Sequence, residues 1–170
     1  QPVMGVYRAD TAGSVSLLIG DVPMPNGVAL SPDGQTLYVG CFDEGASGHQ
    51  APRPKRMALL AYPLLPSGAL GTGRVLVHYG GRDGPDGIEV DADGHIFAAV
   101  RDEARPGIAI YDQRGKEIGF IPLPEIPSNV AVDRLPHGDR LYITAGRGLY
   151  RIHIKKSPLP PHTPDGTRHE

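Results

Sequence analysis

Asn26 and Asp86 are the side chains best placed in this sequence to do chemistry. Each follows a proline and precedes a glycine, in Pro25-Asn26-Gly27 and Pro85-Asp86-Gly87. A third copy of the phrase, Pro127-Ser128-Asn129, puts Ser128 in the same column. An amide oxygen and a carboxylate are the hard ligands that Ca²⁺ and related cations take. A serine hydroxyl is a weaker ligand, so Ser128 is expected to line the site rather than to hold an ion. Gly27 and Gly87 carry no Cβ and let the backbone pass close to the axis of the repeat without a side chain in the way. Asn and Asp before Gly are also ordinary turn residues, so residue type alone leaves both readings open. Their recurrence in one column favours a site, because repeated units present the same column to the same axis.

The elements that must position this column are legible from the text around it. Pro25 to Gly34 leads through Ser31-Pro32-Asp33-Gly34 into Thr36-Leu37-Tyr38-Val39. Pro85 to Gly94 leads through Asp91-Ala92-Asp93-Gly94 into Ile96-Phe97-Ala98-Ala99. The third copy reaches Leu141-Tyr142-Ile143-Thr144 by a longer turn. Each Asp-Gly turn reads as a hairpin, with Gly accepting positive φ. Short apolar runs bounded by turn signals predict strands over 4–9, 15–19, 27–30, 36–41, 58–62, 74–79, 87–90, 96–100, 107–111, 117–121, 129–132, 141–144 and 149–154. No segment sustains a 3.6-residue apolar period, so no helix is expected.

Pro25 and Pro85 stand 60 residues apart, and Pro85 and Pro127 stand 42 apart. Four-stranded units of about 40–50 residues read as propeller blades. An inserted loop over 43–55 lengthens the first unit. The third unit holds three strands, and the first two strands of the chain read as the outer half of a preceding blade. The expectation is an all-β fold, about three blades of a larger β-propeller over residues 1–155. A polar, Pro-rich tail over 156–170 is expected to be disordered. The chain begins at Gln1, and the remaining blades are expected upstream of it.

Composition excludes several classes. Net charge is −2, which gives no electrostatic case for a nucleic-acid partner. The basic run Arg53-Pro54-Lys55-Arg56 reads as a solvated loop. No apolar stretch is long enough to span a membrane. A single cysteine, Cys41, excludes an internal disulfide and a Cys-based zinc cluster, and is expected to be buried in a strand. Compartment is left open.

Other motifs fall short. Glu89, Asp91, Asp93 and Gly94 imitate part of an EF-hand loop, but Val100 occupies the position of the closing Glu, so these acids are assigned to a hairpin. Gly71-Thr72-Gly73 lacks the third glycine of a dinucleotide fingerprint. There is no Gly-x-Ser-x-Gly elbow. The seven histidines show no ligand spacing and read as surface or strand residues. Asn129 is placed to bond exposed backbone near the axis. Asp43 and Glu44 either reach the mouth of the tunnel or stand in solvent.

The ordered set of Asn26-Gly27, Asp86-Gly87 and the closing Leu141-Tyr142-Ile143-Thr144 with Gly148-Leu149-Tyr150-Arg151-Ile152 resembles the gluconolactonase, regucalcin and senescence-marker-protein family. The resemblance covers nearly all of residues 1–155 as the C-terminal half of a six-bladed β-propeller. It implies a metal-dependent hydrolase that opens a sugar lactone or related cyclic ester. It implies that Asn26 and Asp86 help hold one divalent cation, Ca²⁺ first and Zn²⁺, Mn²⁺ or Mg²⁺ otherwise. Asp86 would also serve as the catalytic general base. The family's third ligand, a Glu, and its substrate-contacting residues have no counterpart in this chain. The chain alone is therefore expected to be inactive and to need the missing N-terminal blades. Two other readings stay open. One is a non-catalytic propeller that binds a small molecule, metal or protein. The other is a strictosidine-synthase-like propeller enzyme, in which Asp86 would be replaceable.

Overall fold

The computed structural model describes residues 4–45, 56–133 and 140–154. The Pro-rich tail and most of the 43–55 insert lie outside these residues. The described chain is all β: β1 (Val6–Ala9), β2 (Val15–Ile19), β3 (Pro25–Leu30), β4 (Thr36–Asp43), β5 (Arg56–Pro63), β6 (Arg74–His78), β7 (Pro85–Val90), β8 (Ile96–Val100), β9 (Gly107–Tyr111), β10 (Glu117–Pro122), β11 (Pro127–Val132), β12 (Arg140–Ala145) and β13 (Gly148–His153). All thirteen expected strands are present, with ends shifted by a residue or two.

Strands pair antiparallel with their sequence neighbours in four sheets: β1-β2, β3-β4-β5-β6, β7-β8-β9-β10 and β11-β12-β13. These are the blades read from the repeat, including the two-stranded half blade at the start and the three-stranded one at the end. Gly34 and Gly94 sit at φ 69° and 82°, as the Asp-Gly hairpins require. Among the described residues no helix is long and apolar enough to cross a membrane.

The blades stack face to face, and the pleat sends the side chains of β4, β5, β8 and β9 into two cores each. On β8, Ile96, Ala98 and Val100 join Tyr38, Met57 and Leu59 of the preceding blade. Phe97 and Ala99 point the other way, against Ile108, Leu141 and Ile143. On β4 and β5, Val39, Cys41, Ala58 and Leu60 meet Ile19 and Val22 of the first half blade. Tyr79 and Tyr111 close one core edge to face, with ring centroids 6.4 Å apart. Cys41 is fully buried, as expected, and its thiol donates to the Arg56 carbonyl at 3.3 Å.

Candidate functional site

The Asn26, Asp86 and Ser128 column coincides with a break in register at the start of each first strand. Pro25 pairs Cys41 and Val28 pairs Val39, so Asn26 and Gly27 together face Gly40. Pro85 pairs Val100 and Ile88 pairs Ala98, so Asp86 and Gly87 face Ala99. Pro127 pairs Ala145 and Asn129 pairs Thr144, leaving Ser128 without an opposite residue. Each is a β-bulge, which re-aims a side chain out of the regular pleat. Three bulges at the same point of three blades are a repeated device.

The glycines bring the bulges together. A Cβ on Gly27 would collide with the Asp86 carbonyl oxygen and stand 2.7 Å from the Ile88 nitrogen. A Cβ on Gly87 would collide with the Asn129 side chain, 2.8 Å from its Cα. Strands β3, β7 and β11 therefore lie side by side, touching at the candidate column. Among the described residues the Asn26 side chain makes no hydrogen bond, and the residue is exposed. Ser128 is exposed as well, with its hydroxyl 2.8 Å from that of Thr144. Asn129 uses its side-chain oxygen on the adjacent Val130 N–H at 2.9 Å.

Asp86 has a partner that the sequence did not announce. The Arg101 guanidinium donates from Nη1 to Asp86 Oδ2 at 2.7 Å, a charge-assisted bond. The Asp86 side chain is 18% exposed and that of Arg101 40%. Arg101 also lies over the Phe42 ring of the preceding blade, 5.5 Å from its centroid. Its placement is another repeat feature. Phe42, Arg101 and Gly146 each donate their backbone N–H to the carbonyl just before the Pro of their own blade, at Met24, Gly84 and Ile126. These positions form a second column beside the first. Residue types as unlike as Phe, Arg and Gly gave no sequence signal for it.

The donors of the first column are an amide oxygen, a carboxylate and a hydroxyl, without sulfur or imidazole. That set fits a hard divalent cation. Asp86 Oδ1 is the carboxylate oxygen left for a second partner.

Asp91, Asp93 and His95 form a separate cluster, with potential ligand atoms within 4.8 Å of one another. It lies at the opposite end of β7 from Asp86. Asp91 Oδ1 accepts from the N–H groups of Asp93 and His95 at 2.9 and 2.8 Å, and its Oδ2 meets His95 Nδ1 at 2.9 Å. Asp10 makes the same paired contacts with Ala12 and Ser14, and Asp112 with Arg114 and Lys116. The carboxylates thus cap hairpin turns, as the sequence reading has it. His95 meets Asp91 across the turn, a contact that spacing between histidines does not signal. Asp43 is fully buried, with Oδ1 accepting from Gly45 N–H at 3.0 Å, which overturns the solvent placement for that residue; Glu44 is exposed.

Known proteins supply an independent line. Gluconolactonase of Zymomonas mobilis is 30% identical over 161 residues, covering 89% of this chain and 40% of its own. Lactonase drp35 of Staphylococcus epidermidis is 29% identical over 127 residues, 73% of this chain and 35% of its own. A gluconolactonase structure from Xanthomonas campestris superposes with a TM-score of 0.72 at 29% identity, over 91% of this chain and 46% of that one. Regucalcin of Agrobacterium tumefaciens, described as a calcium-binding protein, gives 0.67 at 27% identity, over 84% and 44%. The chain thus spans less than half the length of these relatives. The family model for the SMP-30/Gluconolactonase/LRE-like region matches residues 1–147. With its stacked four-stranded blades and repeated bulges, the chain belongs to the SMP-30/gluconolactonase/LRE-like family of β-propellers.

Proposed function

We propose that this chain carries part of the active site of a divalent-cation-dependent lactonase, which opens a sugar lactone or related cyclic ester to the hydroxy acid. The observation that carries the reading is the bulge column: Asn26 and Asp86 on adjacent strands, brought side by side by Gly27, in a chain similar to gluconolactonases. Asn26 and Asp86 are the proposed ligands, with Ca²⁺ as the first choice given the oxygen donors and the similarity to a calcium-binding regucalcin. When bound, such an ion supplies Lewis acidity toward the lactone carbonyl and acidifies water.

The chain's own residues do the rest. Asp86 accepts a proton from the attacking water as general base. The water oxygen bonds to the carbonyl carbon, the ring C–O bond breaks, and the proton passes to the departing alkoxide. Asn26 contributes a neutral oxygen, which leaves Asp86 as the one anion of the column. Ser128 lines the same end, held by Thr144.

The test is hydrolysis of glucono-δ-lactone by the intact protein with added Ca²⁺, wild type against Asp86→Ala. Loss of at least a hundredfold in kcat/KM is expected, within the usual range for a general base. Turnover indifferent to Asp86 moves the chemistry elsewhere, as in a strictosidine-synthase-like enzyme. Cation binding that needs Asp86, without turnover, leaves a binding propeller.

A further inference from the structure

We infer that Arg101 is a built-in counter-cation that occupies Asp86 and competes with a divalent ion for it. This rests on the cation-site reading above and adds a determinant of how tightly that site binds. Two independent contacts hold the guanidinium in place: the 2.7 Å bond to Asp86 Oδ2 and the face of Phe42. Its backbone is fixed as well, by the N–H bond to Gly84 at 3.2 Å. The blade repeat isolates the charge as a special feature. The equivalent residues are Phe42 and Gly146, so the fold needs no cation at this position, and the one Arg lies on the one carboxylate of the neighbouring column.

The electrostatic consequence has one sign in either geometry. If the ion takes Oδ1 while Arg101 keeps Oδ2, a dication and a guanidinium share one carboxylate and repel at short range. If the ion takes both oxygens, the Arg101 bond must break first. In both cases the charge on Arg101 lowers cation affinity, and Arg101 acts as a positioning residue through Asp86. A propeller of this family with an uncharged residue here is expected to hold its ion more tightly.

The test is calorimetric titration of the intact protein, stripped with chelator, with Ca²⁺ and with Mn²⁺. Arg101→Met keeps an aliphatic stem over Phe42 and removes the charge; Arg101→Gln is a second uncharged variant with different packing. Both are expected to bind at least tenfold more tightly than wild type, while Arg101→Lys stays within about threefold of it. Asp86→Asn reports whether the binding belongs to this site. Uncharged variants no tighter than wild type, with binding still lost in Asp86→Asn, overturn the inference and leave the cation site standing. Absence of binding in wild type and uncharged variants alike overturns both. Asp86-dependent binding that appears only in the uncharged variants supports the inference in its strongest form.

Discussion

Single residues in this chain carry geometric duties that a composition count hides. Gly27 is a case where backbone meets backbone, so no side chain can move aside to admit a methyl group. Gly27→Ala is expected to cost about 1–3 kcal/mol, the usual range for overpacking. Urea unfolding measures it against Gly81→Ala, where a Cβ meets nothing within 4 Å and the change should stay within about 0.5 kcal/mol. Charge acts at the same scale. Arg105 grips Glu117 with two bonds of 2.7 and 3.1 Å and stacks on Phe120, 3.7 Å from its centroid. Those bonds hold the Glu117 carboxyl below its ordinary 4.5. A depressed folded value means stability that is present above about pH 4.5 and lost as pH falls through the folded value. Glu117→Gln is therefore expected to flatten the acid limb of a stability–pH curve and to change neutral stability by only about 0.2–1 kcal/mol, since the pair is partly exposed. Asn26, Asp86 and Ser128 were legible because they repeat in register. Arg101 was not, because its partner lies on the neighbouring strand and its column repeats in hydrogen bonding instead of residue type.

At the scale of the element, the strands were legible because each is a short apolar run with a turn signal to end it. Ser31 to Gly34 and Asp91 to Gly94 fix two hairpins by chemistry alone. The bulges were not legible, since two residues facing one is a property of a strand pair and no strand shows it by itself. One of them shows as a break in β7, where Gly87 and Ile88 are buried in succession beside Asp86. Burial along the strands predicts where mutation will hurt. Ile96 is fully buried between two blades, so Ile96→Ala should cost about 2–5 kcal/mol. Ile118, half exposed on β10, should tolerate Ala with a change under about 1 kcal/mol. Equilibrium denaturation of the pair would check both, and equal losses would contradict the assignment of β8 as the central, doubly covered strand.

For the whole molecule, stacking order does the functional work. Each blade offers its first strand to the next, so residues 60 positions apart in sequence, such as Asn26 and Asp86, end on neighbouring strands. Neither residue distinguishes a ligand from a turn former on its own; the stack and the family together favour the ligand. The chain spans less than half the length of its relatives, so its sequence offers only the part of a site that these blades carry. The most direct measurement is lactone hydrolysis by the intact protein after chelator treatment, followed by Ca²⁺ add-back to wild type and to Asn26→Ala. Loss of turnover with chelator, recovery on add-back in wild type, and a recovery in Asn26→Ala that needs at least tenfold more Ca²⁺ are predicted. Full turnover in excess chelator would contradict a cation-dependent site at this column.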